Sequence, residues 1–274
     1  VLPGRGIQRR LTLANLVAAI GLLCGLVQAL ILVIRRRPAV VVSLGGYASI
    51  PCALAAVVLR VPVVVAEQNA VPGAANRVTS RFARACAVSF PGTDLPRSTV
   101  TGNPVRQGVR EVAESGDRMR DRSEARAALG INASPFVVVF GGSLGARRIN
   151  QALVRVVEDW KGGPMVVEHV VGPRGWTKGL AGGVSPDDAP ERTVTAAPGV
   201  EYRAVKYEAD MPTMLRAADL VVCRAGATSV AELSALGVPS ILVPLPGAPG
   251  DHQTANARYL EDALYSVVSD VDGE

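Results

Sequence analysis

Asp219-Leu-Val-Val-Cys-Arg-Ala-Gly-Ala-Thr-Ser-Val-Ala-Glu232 carries the chain from an apolar run, through a turn of small residues, into the start of a helix. A buried strand that breaks this way aims bare backbone N–H groups at the space ahead of the helix, where the helix dipole favours an anion such as phosphate. With Glu232 one turn inside, this is the outline of a nucleotide site. The same residues fit a second reading, a capping box in which Ser229 bonds the third N–H and Glu232 reaches back to the first.

Outward from this stretch the chain repeats a rhythm of strand, turn and helix. Ala39–Ser43 runs into Gly45-Gly46-Tyr47 and an apolar helix over Ser49–Leu59. The next strand, Val61–Ala66, ends in Glu67-Gln68-Asn69. About thirty charged, loosely patterned residues follow Gly102-Asn-Pro104, and the boundary between two domains, 1–103 and 104–274, is expected at their start. A helix over Ser123–Leu129 stops at Gly130. Phe136–Phe140 then opens a second series: Gly141-Gly-Ser-Leu-Gly145, a helix over Ala146–Asp159, a strand over Val166–Val171, and the apolar run Ser240–Val243 after the stretch quoted first. Pro, Gly and Asp crowd 172–199, which reads as a surface loop. The expectation is an α/β protein of two Rossmann-like domains facing a cleft.

Gly141–Gly145 is a second candidate phosphate cradle, since glycines let the backbone approach an anion and Ser143 adds a hydroxyl. No Lys-Ser/Thr follows as in a P-loop, and a tight turn would also favour glycine. Three polar side chains at Glu67–Asn69, directly after an apolar strand, suit sugar hydroxyls, although Asn69 also suits a helix cap. His169 sits inside an apolar run and reads as a core histidine. His252 opens a helix with Asp251 as its N-cap and is the better ligand contact. Asp187-Asp188 reads as a solvated loop, and no His/Cys/Asp cluster has the spacing of a metal site.

With 274 residues, a net charge of +5 and pI about 9.3, the chain suits anionic partners: an anionic membrane face or phosphorylated substrates. Only 4% of residues are aromatic, which leaves little to stack bases on and argues against nucleic acid. Cys24, Cys52, Cys86 and Cys223 lie in apolar stretches and read as reduced core residues. Leu11–Ile34 is free of charge and bounded by Arg9-Arg10 and Arg35-Arg36-Arg37. Its length permits a membrane span. Basic residues at both ends, Asn15 and Gln28 within, and the strand directly after Pro38 favour a helix packed on a sheet with one greasy face toward lipid.

Together these motifs resemble the MurG family, the glycosyltransferases that add N-acetylglucosamine to lipid I in bacterial peptidoglycan synthesis. The resemblance rests, in order, on Gly45-Gly-Tyr-Ala-Ser49, Glu67-Gln-Asn69, Gly102-Asn-Pro-Val-Arg106, Gly141-Gly-Ser-Leu-Gly-Ala-Arg147, Cys223-Arg-Ala-Gly226 through Glu232, and Asp251-His-Gln-Thr254. It implies a GT-B fold, with lipid I (a polyprenyl diphosphate-linked acceptor) bound mainly by the first domain and UDP-N-acetylglucosamine by the second. It implies inverting transfer without metal or cofactor, at the cytoplasmic face of the membrane. Ser143 would meet the donor's diphosphate, and Gly226, Ala227, Thr228 and Ser229 would present N–H groups beside it. Glu232 would hold the ribose hydroxyls, Arg106 and Asn69 would contact the donor, and Gln253 would bind the sugar hydroxyls.

The sequence departs from the pattern at Ala66, where the family has His, and at Leu144, where it has Gln. The family's glycine-rich loop, ending in a histidine proposed to assist deprotonation, would precede Val1, and the family continues beyond Glu274. Within the chain, Glu67 is then the candidate base. Other acceptors, a UDP-sugar epimerase of the same architecture, and a non-catalytic nucleotide-binding module anchored by the first 37 residues are the alternatives.

Overall fold

A computed structural model describes residues 13–132, 134–142, 145–176, 191–197, 199–263 and 266–268. The chain divides into two compact units, one of residues 1–103 with 249–252, the other of 104–248 with 253–274.

The first unit opens with α1 (Leu13–Arg36) and continues through β1 (Val41–Ser43), α2 (Ser49–Val58), β2 (Val63–Glu67), α3 (Ala74–Ser80), β3 (Ala85–Val88) and β4 (Ser98–Val100). The strands form one parallel sheet in the order β1-β2-β3-β4. Its core gathers Val63, Val65, Cys86 and Val88 from the strands with Ala53 and Ala56 from α2.

In α1, Gly25, Ala29 and Val33 recur every fourth residue and are buried. Ala29 and Val33 pack with Ala55 of α2. Half a turn away, Leu23, Val27 and Ile31 are exposed, followed by Arg35, Arg36 and Arg37 at the helix end. So from Gly21 to Arg36 the helix is packed on the unit by one stripe and bare along another, the arrangement that four-residue spacing dictates. Among the described residues no helix is long and apolar enough to cross a membrane.

The second unit comprises α4 (Gln107–Glu114), α5 (Arg118–Ala128), β5 (Phe136–Phe140), α6 (Arg147–Glu158), β6 (Met165–Val170), α7 (Pro173–Trp176), β7 (Glu191–Ala197), β8 (Val200–Val205), α8 (Met211–Ala217), β9 (Leu220–Cys223), α9 (Ala227–Leu236), β10 (Ser240–Leu242), α10 (His252–Ala263, all but its first residue) and β11 (Ser266–Val268). Its sheet runs β11-β10-β9-β5-β6-β8-β7. Among the described strands only β7 is antiparallel. The runs Phe-Val-Val-Val-Phe of β5 and Met-Val-Val-Glu-His-Val of β6 are almost continuously buried, as strands covered on both faces must be.

Two sequence expectations need correction. Within 172–199, expected to be a loop, α7 and the edge strand β7 form; an antiparallel edge strand needs a partner's backbone more than an apolar run of its own. Asp187-Asp188 lies outside the described residues. The charged stretch after Pro104 folds into α4 and α5, the latter capped by Asp117, whose side chain accepts from the Arg120 N–H at 3.1 Å.

Its charges have structural work. Arg126 donates to the carbonyls of Asn132 and Ser134 at 2.6 Å each and to Asp219 at 2.9 Å. Asp219 also accepts from Arg122 and from the Phe136 N–H. Burial alone would raise the Asp219 pKa, but the Phe136 N–H and the two guanidiniums outweigh it and hold the carboxyl below its usual range. Helix α5 is thereby fastened to the starts of β5 and β9.

Candidate functional site

From β5 the chain winds through β6 to β8 on one side, and from β9 through β10 to β11 on the other. β5 and β9 are neighbours in register from Val137↔Leu220 to Phe140↔Cys223. The loops leaving their carboxyl ends therefore diverge and open a crevice between them, the ligand position of doubly wound sheets. Those loops are the two glycine-containing turns singled out in the sequence.

Two positions of the loop after β5, Gly141 and Gly145, leave no room for a side chain. A Cβ on Gly141 would lie 2.2 Å from the Ala146 nitrogen, and one on Gly145 would lie 2.4 Å from the Val171 carbonyl oxygen, with Gly145 at φ +79°. Backbone replaces side chain at both contacts, so here glycine is a requirement of packing. Ser143 and Leu144 lie outside the described residues.

Helix α9 starts at Ala227, with Gly226 as an N-cap that has no side chain to close the helix end. The first helical bond is from the Val230 N–H to the Gly226 carbonyl at 2.9 Å, so the N–H groups of Ala227, Thr228 and Ser229 precede the ladder. This overturns the capping-box reading. Ser229 is the third residue of the helix, not its cap.

Glu232 does not reach back to the helix start either. Its two carboxylate oxygens accept from Nε and Nη2 of Arg106, each at 2.6 Å, a bidentate pair spanning 126 positions. The Glu232 side chain is 2% exposed, that of Arg106 44%. The hydrogen bond to Glu232 raises the already high Arg106 pKa further. The sequence singled out both residues without indicating that they meet.

Arg224, unremarked in the sequence, donates to the carbonyls of Val243 at 3.1 Å and Pro244 at 2.6 Å. Burial, and after it the charge of Arg148, lowers its pKa. Gln253 accepts from the Leu245 N–H at 2.9 Å. Both side chains thus hold the segment leaving β10, the next strand end in the row. The signal for Arg224 was its place directly after the last residue of a buried strand.

In the first unit Glu67 and Asn69 come together. Glu67 is buried and accepts from the Asn69 N–H (3.0 Å) and Asn69 Nδ2 (3.3 Å) at one oxygen, and from the Gly73 N–H (3.0 Å) and Asn76 Nδ2 (2.8 Å) at the other. A carboxylate so occupied organises its loop. That runs against the role of base expected of it. His252, at the start of α10, has Nδ1 2.9 Å from the Pro249 carbonyl oxygen.

His169 is a core residue, as expected, with Nδ1 2.6 Å from the Tyr202 hydroxyl and Nε2 3.1 Å from Asn150 Oδ1. Cys86 and Cys223 are buried, but Cys24 is exposed and Cys52 half-buried, so only two of the four fit the core expectation. Cys24 follows exposed Leu23 on the bare side of α1.

Residues 1–88 match the glycosyltransferase family 28 N-terminal domain, and 136–272 the C-terminal domain of the same family. Two parallel α/β units with this pairing of family models define a glycosyltransferase of the GT-B class. The chain is 40% identical over 271 residues to the UDP-N-acetylglucosamine–N-acetylmuramyl-(pentapeptide) pyrophosphoryl-undecaprenol N-acetylglucosamine transferase of Desulforudis audaxviator, covering 95% of this chain and 68% of that protein. With the transferase of the same description from a Nocardioides species the identity is 43% over 230 residues, covering 84% and 58%. The crystal structure of Acinetobacter baumannii MurG superposes with a TM-score of 0.69 at 29% identity, covering 97% of this chain and 68% of that one. The chain belongs to the MurG family. It spans roughly three-fifths to two-thirds of the length of these relatives.

Proposed function

We propose that this chain transfers N-acetylglucosamine from UDP-N-acetylglucosamine to the muramyl-pentapeptide carried on undecaprenyl diphosphate, with inversion and without a metal. The observation that carries the reading is the open N-terminus of α9 at the β5/β9 switch point with buried Glu232 in its second turn. The N–H groups of Ala227, Thr228 and Ser229, with the hydroxyl of Ser143, would take the diphosphate. As the sugar–phosphate bond breaks, negative charge grows on the departing UDP, and donors already in place stabilise it without reorganisation.

In this reading Glu232 accepts two hydrogen bonds from the ribose diol, Gln253 binds sugar hydroxyls, and Arg106 and Asn69 contact the donor. The first unit takes the lipid acceptor, with Glu67 setting the loop that carries Asn69. Helix α1, bare along Leu23, Val27 and Ile31, ending in Arg35 and Arg36 and followed by Arg37, would rest on the anionic cytoplasmic face of the membrane as a peripheral contact. The 40% identity to transferases favours this over the epimerase.

Calorimetric titration of UDP-N-acetylglucosamine into the chain with excess chelator tests the donor half. Binding is expected. Binding that needs added Mg²⁺ would contradict it.

A further inference from the structure

Both Glu232 oxygens are taken by Arg106, and the two side chains differ sharply in exposure, 2% against 44%. The guanidinium therefore covers the outward side of the carboxylate. A ribose diol also presents two donors to one carboxylate; each Glu232 oxygen keeps a further lone pair, but with the side chain 2% exposed beneath the guanidinium a ribose reaches those oxygens only where Arg106 moves aside.

Nothing else the structure describes holds the Arg106 fork in place: its two guanidinium bonds both go to Glu232. Its backbone precedes α4 in an extended conformation as the N-cap of that helix. Asp210, at the start of α8, adds favourable charge around it. Arg106 is thus a half-exposed cation that can leave one anion for another.

We propose that Arg106 is a latch over Glu232 that makes the site discriminate nucleotides from nucleosides; this rests on the reading of Glu232 as the ribose partner. A uridine must displace the guanidinium to reach the carboxylate and gives it no new partner. UDP displaces it too, but brings a diphosphate that a displaced, mobile arginine can pair with. The latch therefore weakens uridine binding and leaves UDP binding nearly whole. Arg106 acts here as a specificity-determining residue.

The test is titration of uridine, 2′,3′-dideoxyuridine and UDP into the wild-type chain and Arg106→Met, which keeps an apolar stem and removes the fork. The latch predicts that uridine binds Arg106→Met about tenfold more tightly than wild type while UDP does not gain, so the preference for UDP shrinks. A merely structural role for Arg106 would weaken both ligands together. Arg106→Lys, which keeps the charge and loses the fork, should shift uridine the same way by less, and it serves equally if Arg106→Met does not fold.

Uridine affinity unchanged or reduced in these variants overturns the latch while leaving the ribose reading intact, provided that uridine outbinds the dideoxy analogue. Equal binding of the two nucleosides to both chains overturns the ribose reading and the latch with it.

Discussion

Nδ1 of His169 and the hydroxyl of Tyr202 lie 2.6 Å apart under the sheet of the second unit, and a third residue, Asn150, puts a proton on the other ring nitrogen. Asn150 commits Nδ2 to the Val171 carbonyl at 2.9 Å, which leaves Oδ1 to face His169 Nε2. Nε2 must then carry a proton, and in the neutral ring that burial favours Nδ1 accepts from the Tyr202 hydroxyl.

Burial lowers the His169 pKa from 6.5 to about 4. Between those values the unfolded chain binds a proton that the folded one refuses, so the stability is complete above pH 6.5 and lost as pH falls toward 4. The loss should approach 3 kcal/mol, at about 1.4 kcal/mol per pKa unit. Denaturant midpoints measured from pH 7 to 4 should fall more steeply in wild type than in His169→Gln. Parallel slopes would contradict this account.

Gly145→Ala should be damaging where most Gly→Ala changes are mild. The methyl would meet the Val171 carbonyl at 2.4 Å in a left-handed backbone, so the loop after β5 has to shift, with strain of about 1–3 kcal/mol. Gly163→Ala, with nothing within 4 Å of its Cβ, is the control and should be neutral or slightly stabilising. Denaturant unfolding and UDP affinity should both drop in the first and hold in the second.

The membrane contact of α1 is testable by vesicle flotation. The exposed Leu23, Val27 and Ile31 supply apolar area, and each basic residue near an anionic surface adds about 1 kcal/mol. Wild type should float with anionic vesicles and be released by high salt, while Val27→Glu with Ile31→Glu should not float. Retention through salt and alkaline washes would mean a spanning helix.

The sheets were readable from the sequence because parallel strands covered on both faces must be nearly all apolar: Phe136–Phe140 was found to the residue and Val166–Val171 within one. The glycine turns were readable because steric exclusion leaves a visible residue. What the sequence hid depends on distant partners. Arg106 and Glu232 are 126 positions apart, Arg126 and Asp219 93, and a charge carries no mark of which opposite charge it will meet. Ser229 misled because Ser-x-x-Glu has the spacing of a capping box anywhere in a helix, and α9 begins two residues earlier at Ala227. Strand β7 escaped because its pairing is backbone to backbone with β8.

The central claim, that the second unit grips a UDP-sugar through Glu232, is tested most directly by UDP titration into wild type and Glu232→Gln. Two hydrogen bonds from the ribose to a charged group predict a loss of about 1.5–3 kcal/mol in binding. Some loss of stability is expected as well, because the substitution also breaks the bidentate pair with Arg106. A Glu232→Gln chain that is less stable but binds UDP as tightly as wild type would reduce Glu232 to a structural partner of Arg106 and contradict the account.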